Sequence, residues 1–157
     1  MSLQVYEIFK SLQGESSFQG FPCVFIRLAG CHLDCSWCDT KAVRTAPGIT
    51  MSVDEIMARV PVMGASHVEL TGGEPLLQEE SFELLTKLND YGFTVLLETS
   101  GSLPLDKVDR RTHIIMDVKP PSSGEASSLV EENLEILTEN DEVKFPCASR
   151  EDFDYAM

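Results

Sequence analysis

Five short runs of apolar residues, many of them β-branched or aromatic, recur along this chain, and each is closed by glycine or proline: "CVFIRLAG" (Cys23–Gly30), "HVELTGGEP" (His67–Pro75), "TVLLETSG" (Thr94–Gly101), "HIIMDVKPP" (His113–Pro121) and "EVKFPCA" (Glu142–Ala148). Runs of this length bounded by turn residues read as strands. Their near-continuous apolarity suits strands covered on both faces, as in a parallel sheet. Helical patterns lie between several of them. Ser52 and Glu55 make a capping box before "VDEIMARV". Phe82, Leu85, Leu88 and Tyr91 recur at helical spacing, with Gly92 as a natural stop. Leu129, Leu134 and Leu137 mark another helix after "SSGEASS", and Ser149 with Asp152 resembles a helix start near the end. "VYEIF" reads as a further strand leading into the loop "KSLQGESSFQG". The alternation predicts an α/β fold, either a doubly wound sheet or a barrel.

A length of 157 residues suits a single domain over 1–157, and 43% hydrophobic content is enough for a packed core. No apolar run approaches the roughly 20 residues that span a bilayer. "MSLQVYEIFK" lacks a basic stretch followed by an apolar one, so no signal peptide and no membrane partner are expected. The five cysteines, three of them clustered, do not read as a disulfide framework, which favours a reducing, cytoplasmic setting. With 26 acidic against 12 basic residues the formal charge is -14, and no nucleic-acid partner is expected. The densest basic cluster, Lys107, Arg110 and Arg111, is interleaved with Asp106 and Asp109 and reads as a solvated face.

Parallel β/α folds bind ligands at the carboxyl ends of their strands. Here those ends carry "AGC", "TGGEP", "ETSG", "DVK" and "KFP", whereas the amino halves carry Val, Ile, Leu and Phe. Gly72 and Gly73, lacking side chains, are expected to let a ligand approach the backbone amides, with Glu74 accepting hydrogen bonds from an ammonium group.

The spacing Cys31-x3-Cys35-x2-Cys38 admits three readings. A structural zinc ion needs a fourth ligand, for which only the adjacent His32 or the distant Cys147 offers itself. Three buried structural thiols sit poorly beside Asp34, Ser36 and Asp39. An iron–sulfur cubane on three thiolates leaves one iron open to a small chelating molecule.

The cysteine spacing, followed about one β/α unit later by a strand ending in "GGEP", resembles the radical S-adenosylmethionine (SAM) superfamily. The resemblance implies a 4Fe–4S cluster whose open iron is chelated by SAM, and reductive cleavage giving a radical that abstracts hydrogen from substrate. Over nearly the whole chain, "EIFKSLQGESSFQGFPCVFIRLAGCHLDCSWCDT", "LTGGEPLLQ", "ETSG" and "MDVKPPSSGE" resemble the 7-carboxy-7-deazaguanine synthases. These rearrange 6-carboxy-5,6,7,8-tetrahydropterin to 7-carboxy-7-deazaguanine with loss of ammonia, toward queuosine and archaeosine. The fold implied is a partial, open β/α barrel of parallel strands. The partners implied are the pterin, an electron donor such as flavodoxin or ferredoxin, and a second copy in a homodimer.

Carried over residue by residue, Cys31, Cys35 and Cys38 hold the cluster, and Thr40 binds Mg²⁺. Trp37, Asp39, Gly72, Gly73, Glu74, Glu98, Ser100, Asp117 and Lys119 surround SAM. Leu12, Gln13, Gly14, Arg27 and Thr71 contact the pterin. Arg27 has a physical rationale, since its planar fork suits a carboxylate. So has Thr40, because Mg²⁺ prefers oxygen and keeps several waters. Without the resemblance Thr40 reads as a helix N-cap or turn residue. Cys23 is expected in the core, and Cys147 at a strand end. Family members are usually longer; the final helix, about two turns, is expected to pack as a short cap or to belong to a longer protein. An alternative is an enzyme that installs a glycyl radical on a partner protein. A non-enzymatic iron–sulfur carrier has no need of "GGEP".

Overall fold

A computed structural model describes residues 2–157. It contains one seven-stranded sheet: β1 (Ser2–Leu12), β2 (Pro22–Leu28), β3 (Ile49–Ser52), β4 (His67–Gly72), β5 (Thr94–Thr99), β6 (His113–Asp117) and β7 (Glu142–Lys144), in the order β3-β1-β2-β4-β5-β6-β7. The helices are α1 (Lys41–Thr45), α2 (Val53–Arg59), α3 (Glu80–Tyr91), α4 (Asn133–Ile136) and α5 (Arg150–Ala156). From β2 through β7 the neighbouring strands of the sheet pair in parallel, as the apolar runs predict.

The far edge is different. β1 runs antiparallel to both β2 and β3, so the sheet is mixed rather than wholly parallel. The reason is the connection. β1 turns back through residues 13–21, where the Gln13 N–H donates to Phe21 and the Gly20 N–H to Gln13, extending a hairpin. A parallel crossover needs a dozen or more residues, usually a helix. β3, a four-residue edge strand, has too little sequence to show a pattern and was not foreseen.

Alternation along the strands sorts side chains onto two faces. Val24, Ile26, Leu28, Val68, Leu70, Val95, Leu97, Ile114 and Met116 form one core with residues of α2 and α3. Phe25, Arg27, Glu69, Thr71, Glu98 and Asp117 point to the other side, which is concave and open at the strands' carboxyl ends. Its opposite end is plugged by the loop after β1. The Phe18 ring meets His113 edge-on at 4.8 Å, and Phe21 lies 5.0 Å from His67.

The expected capping box at Ser52 with Glu55 is present, and the expected helix start at Ser149 is also a capping box, with Asp152. Gly92 ends α3 with φ 96°, a left-handed conformation that glycine adopts freely. The buried stripe of α3 is Ser81, Leu84, Leu85 and Leu88; Tyr91 is exposed and stacks on Phe93 instead.

The leucine-marked helix shrinks to the four residues of α4. Leu129 lies outside it and Leu134 is exposed, so the leucine spacing misplaces the anchor. That anchor is Asn133, which is 1% exposed. Its amide donates to the Gly101 and Leu103 carbonyls, each at 2.9 Å, and its oxygen accepts from Leu105 N–H at 3.0 Å. One side chain therefore staples the loop after β5. Asn133→Ala leaves these buried groups unpaired and should lower unfolding stability by about 2–4 kcal/mol, read as a lower urea midpoint at unchanged slope.

Candidate active site

At the carboxyl ends of the parallel strands lies a cavity of about 720 Å³, within the range of small-molecule sites. β2 runs into the cysteine loop, so Cys31, Cys35, Trp37, Cys38, Asp39 and Thr40 form one wall. Arg27, Thr71, Gly72, Gly73, Glu98, Ser100, Asp117 and Lys119 arrive from the strand ends, and Leu12, Gln13 and Gly14 from the hairpin. Among the residues expected at the site, Glu74 alone does not reach the cavity wall.

Glu74 is fully buried and its carboxylate is turned inward. It accepts from Leu76 N–H (3.1 Å), Thr99 Oγ1 (2.9 Å), Ser100 N–H (2.8 Å) and Ser100 Oγ (2.6 Å). Those bonds tie the exits of β4 and β5 together and leave no oxygen facing a ligand's ammonium group. The paired glycines also have a different reason from the one expected. A Cβ on Gly72 would lie 2.3 Å from the Leu28 carbonyl oxygen, and one on Gly73 2.2 Å from that of Gly30. The Gly73 and Glu74 N–H groups donate to these same carbonyls, at 3.3 and 2.9 Å. The glycines let β4 pass against the end of β2, while both still line the cavity.

All three loop cysteines are free thiols; Cys35 is buried, Cys31 and Cys38 half-buried. Burial pushes the Cys31 and Cys35 thiols above the ordinary range, while the Lys119 ammonium draws both back. No three His, Cys, Asp or Glu side chains among the described residues are placed to hold a single ion. Thr40 occupies the N-cap position of α1, yet its hydroxyl caps nothing and lies 3.8 Å from Cys38 Sγ. Arg27 spends Nε on Glu7 at 3.0 Å, and its guanidinium stands 5.9 Å from the centre of the Phe9 ring. Lys119 bridges to Asp117 at 3.1 Å and faces the Trp37 ring at 5.7 Å. The other Asp117 oxygen, Oδ1, is buried without a hydrogen-bond partner.

Glu69 and Glu15 also line the cavity and were not foreseen, and Lys144 of the "KFP" strand end joins them without having been given a role. Lys144 contacts Glu98 at 2.5 Å and Glu15 at 2.7 Å. Burial alone would lower the Lys144 pKa, but Glu98, Glu15 and Asp117 outweigh it and raise it. Glu69 is 3% exposed and accepts a hydrogen bond from Gln13 Nε2. Burial first, then the nearby Glu98 carboxylate, pushes its pKa up to about 8, against the pull of Gln13, Lys144 and Arg27. The signal in the sequence was a lone charge inside the apolar strand "HVELTGG".

The cysteine loop has little regular structure and is held from across the chain. Asp34 N–H donates to Glu125 (2.7 Å), Ser36 N–H to the Ser123 carbonyl (2.9 Å), and Trp37 Nε1 to Ser122 Oγ (2.9 Å). Ser122 in turn donates through N–H and Oγ to Asp152 of α5, at 2.9 and 2.7 Å. The final helix therefore packs as a cap that supports the loop.

Residues 25–117 match the model of the radical SAM superfamily. The chain is 47% identical over 156 residues to a 7-carboxy-7-deazaguanine synthase of Koribacter versatilis, covering 98% of this chain and 69% of the relative. It is 57% identical over 122 residues to that of Chlorobaculum tepidum, covering 78% and 55%. For that of Methanospirillum hungatei the identity is 45% over 155 residues, covering 98% and 65%. The crystal structure of QueE from Escherichia coli superposes with a TM-score of 0.83 at 28% identity, covering 99% of this chain and 76% of that one. The chain belongs to the radical SAM superfamily, whose open β/α barrel it shares. Within it, the chain is a member of the 7-carboxy-7-deazaguanine synthase family, a family of radical SAM lyases, which sets aside the glycyl-radical alternative.

Asp152 yields a prediction. Desolvation raises its pKa, but the hydrogen bonds from Ser122, Ala148 and Ser149 prevail and bring it down to about 2. Its stabilising contribution is therefore complete above the unfolded value near 3.8 and is lost as pH falls toward 2. Asp152→Asn should release Ser122 and leave the Trp37 indole N–H without its fixed partner. In the cluster-free protein, emission of Trp37, the chain's one tryptophan, should be red-shifted at neutral pH in the variant. In the parent that shift should appear only as pH falls toward about 2.

Proposed function

We propose that this chain converts 6-carboxy-5,6,7,8-tetrahydropterin to 7-carboxy-7-deazaguanine, releasing ammonia, with a 4Fe–4S cluster, SAM and Mg²⁺. The observation that carries this reading is the meeting, in one cavity, of three free thiols, an uncapped threonine hydroxyl and an arginine fork. The donor set fits the cofactors. Three soft sulfur ligands suit iron, each on a different iron of a cubane, so they need not converge on a single ion. The unpartnered Asp117 Oδ1 offers an acceptor to N–H or O–H groups of SAM. When bound, the cluster and SAM supply the one-electron chemistry that removes a hydrogen atom from the substrate.

The chain's own residues have separable tasks in this reading. Cys31, Cys35 and Cys38 give up their protons to hold the cluster, and burial adds to that cost at Cys31 and Cys35. Trp37, Asp39, Gly72, Gly73, Glu98, Ser100, Asp117 and Lys119 form the wall against SAM, and Glu74 acts from behind by fixing Ser100. Arg27 Nε is engaged by Glu7, which orients the fork so that its terminal nitrogens can take the substrate carboxylate. Leu12, Gln13, Gly14 and Thr71 bound the pterin ring. Thr40 offers one hard oxygen to Mg²⁺, with substrate oxygens and water supplying the rest. The reading includes a cytoplasmic setting, a flavodoxin or ferredoxin as reductant, and a homodimer. No helix among the described residues is long and apolar enough to cross a membrane.

Anaerobic reconstitution with iron and sulfide, followed by tetrahydropterin, SAM, reductant and Mg²⁺, should yield 5′-deoxyadenosine and the deazaguanine acid. Cleavage of SAM with the pterin unchanged would overturn the substrate while leaving the superfamily chemistry intact. Cys35→Ala should lose the cluster absorbance and SAM cleavage together. Thr40→Ala should keep both but raise the Mg²⁺ concentration needed for turnover by about tenfold or more, seen in a Mg²⁺ titration of product formation.

A further inference from the structure

The cavity's inner wall is graded in charge. Strand register sets Arg27 beside Thr71, and Phe25 beside Glu69, one step deeper along the same pair of strands. With side chains alternating, two residues along a strand correspond to roughly 7 Å. A cation thus stands at the upper level and a carboxyl below it, on the cavity floor above the Phe18 and His113 plug. Glu69 Oε2 is engaged by Gln13, and no group among the described residues donates to Oε1. The tetrahydropterin of the proposed function is polar in the same sense. A carboxylate marks one end, and the 2-amino group with its neighbouring ring N–H marks the other.

We propose that Glu69 receives the N–H-rich edge of the pterin ring and so fixes which way round the substrate lies in the cavity. The assignment rests on the pterin reading above and adds to it a residue that selects the amino-bearing ring. The surroundings of Glu69 determine how it titrates. Arg27 and Cys23 face it from β2, Glu98 from β5, Lys144 from β7, Asp117 and His113 from β6, Glu15 from the hairpin loop, and His67 lies below on its own strand. Lys144 is shared with Glu98, Glu15 and Asp117, so it does not neutralise Glu69 alone. The free carboxyl consequently keeps its proton up to about pH 8. A ligand presenting two N–H donors favours the carboxylate, and the displaced proton leaves to solvent.

The test uses the reconstituted protein with SAM and Mg²⁺, and pterin-6-carboxylate, the oxidised form of the substrate, as a binding probe. Affinity and proton release are read by titration calorimetry in buffers of differing ionisation enthalpy. The parent should bind more tightly as pH rises from about 5.5 to about 7.5, approaching tenfold per unit, and release up to one proton. Glu69→Gln should bind about 30-fold more weakly, with the pH dependence gone. The parent should bind lumazine-6-carboxylate, which carries a carbonyl in place of the 2-amino group, about as weakly as the variant binds the pterin. That measurement needs no variant and is indifferent to any folding defect. Equal binding of the two ligands by the parent, or undiminished binding by a folded Glu69→Gln, would overturn the proposal and leave the synthase reading standing. Failure of the parent to bind either ligand would overturn both.

Discussion

Gly73 passes so close to the end of β2 that any side chain there would collide with the Gly30 carbonyl and Cys31 Cβ. The close approach allows the Gly73 and Glu74 N–H groups to bond to Leu28 and Gly30, just before the first cysteine. It also sends the Glu74 side chain inward, where its carboxylate accepts from Leu76, Thr99 and Ser100. The exits of β2, β4 and β5 are thereby locked into one unit. Cys31 leaves that unit at a fixed point, so the position of the cysteine loop is inherited from strand packing. The loop's far side is fixed differently, through Ser122 and Asp152. A substitution in α5 or at Ser122 can therefore disturb the cysteine wall without lying in the cavity.

The parallel strands, the helix starts at Ser52 and Ser149 and the polar strand ends that line much of the cavity could be read in the sequence because each depends on a local pattern. A strand ends where glycine or proline follows, and a capping box spans three residues. What was not legible depends on register or on distant partners. Glu69 stands one alternation away from Leu70, but only the sheet's curvature decides which of them faces the cavity. Lys144 closes onto Glu98 and Glu15, 46 and 129 residues away in the chain. Asn133 looked like an ordinary polar residue, since its partners at Gly101, Leu103 and Leu105 belong to a loop with no periodic pattern. The resemblance to a family supplied Thr40 and the hairpin residues, which local physics alone leaves as turn residues. It also gave Glu74 a ligand-facing role that the hydrogen bonds assign to the strand exits instead.

The acidity of the chain also reaches into the cavity. Arg27, Lys119 and Lys144 each meet a carboxylate of the protein, at Glu7, Asp117 and Glu98 respectively. Cations held this way are oriented and partly neutralised, so they present particular nitrogens to an anion rather than a diffuse positive field. Among the described residues, the free positions on this wall include the terminal nitrogens of Arg27, Asp117 Oδ1 and Glu69 Oε1. A ligand that satisfies all of them must carry an anion at one end and donors at the other. Specificity then follows from the mismatch cost, because a molecule offering the wrong polarity leaves a buried group unpaired. In the proposed reading, the graded charge of the wall sets orientation through affinity, because a ligand lying the other way round loses both contacts. That suits a reaction in which one hydrogen atom of the substrate must face the cysteine loop.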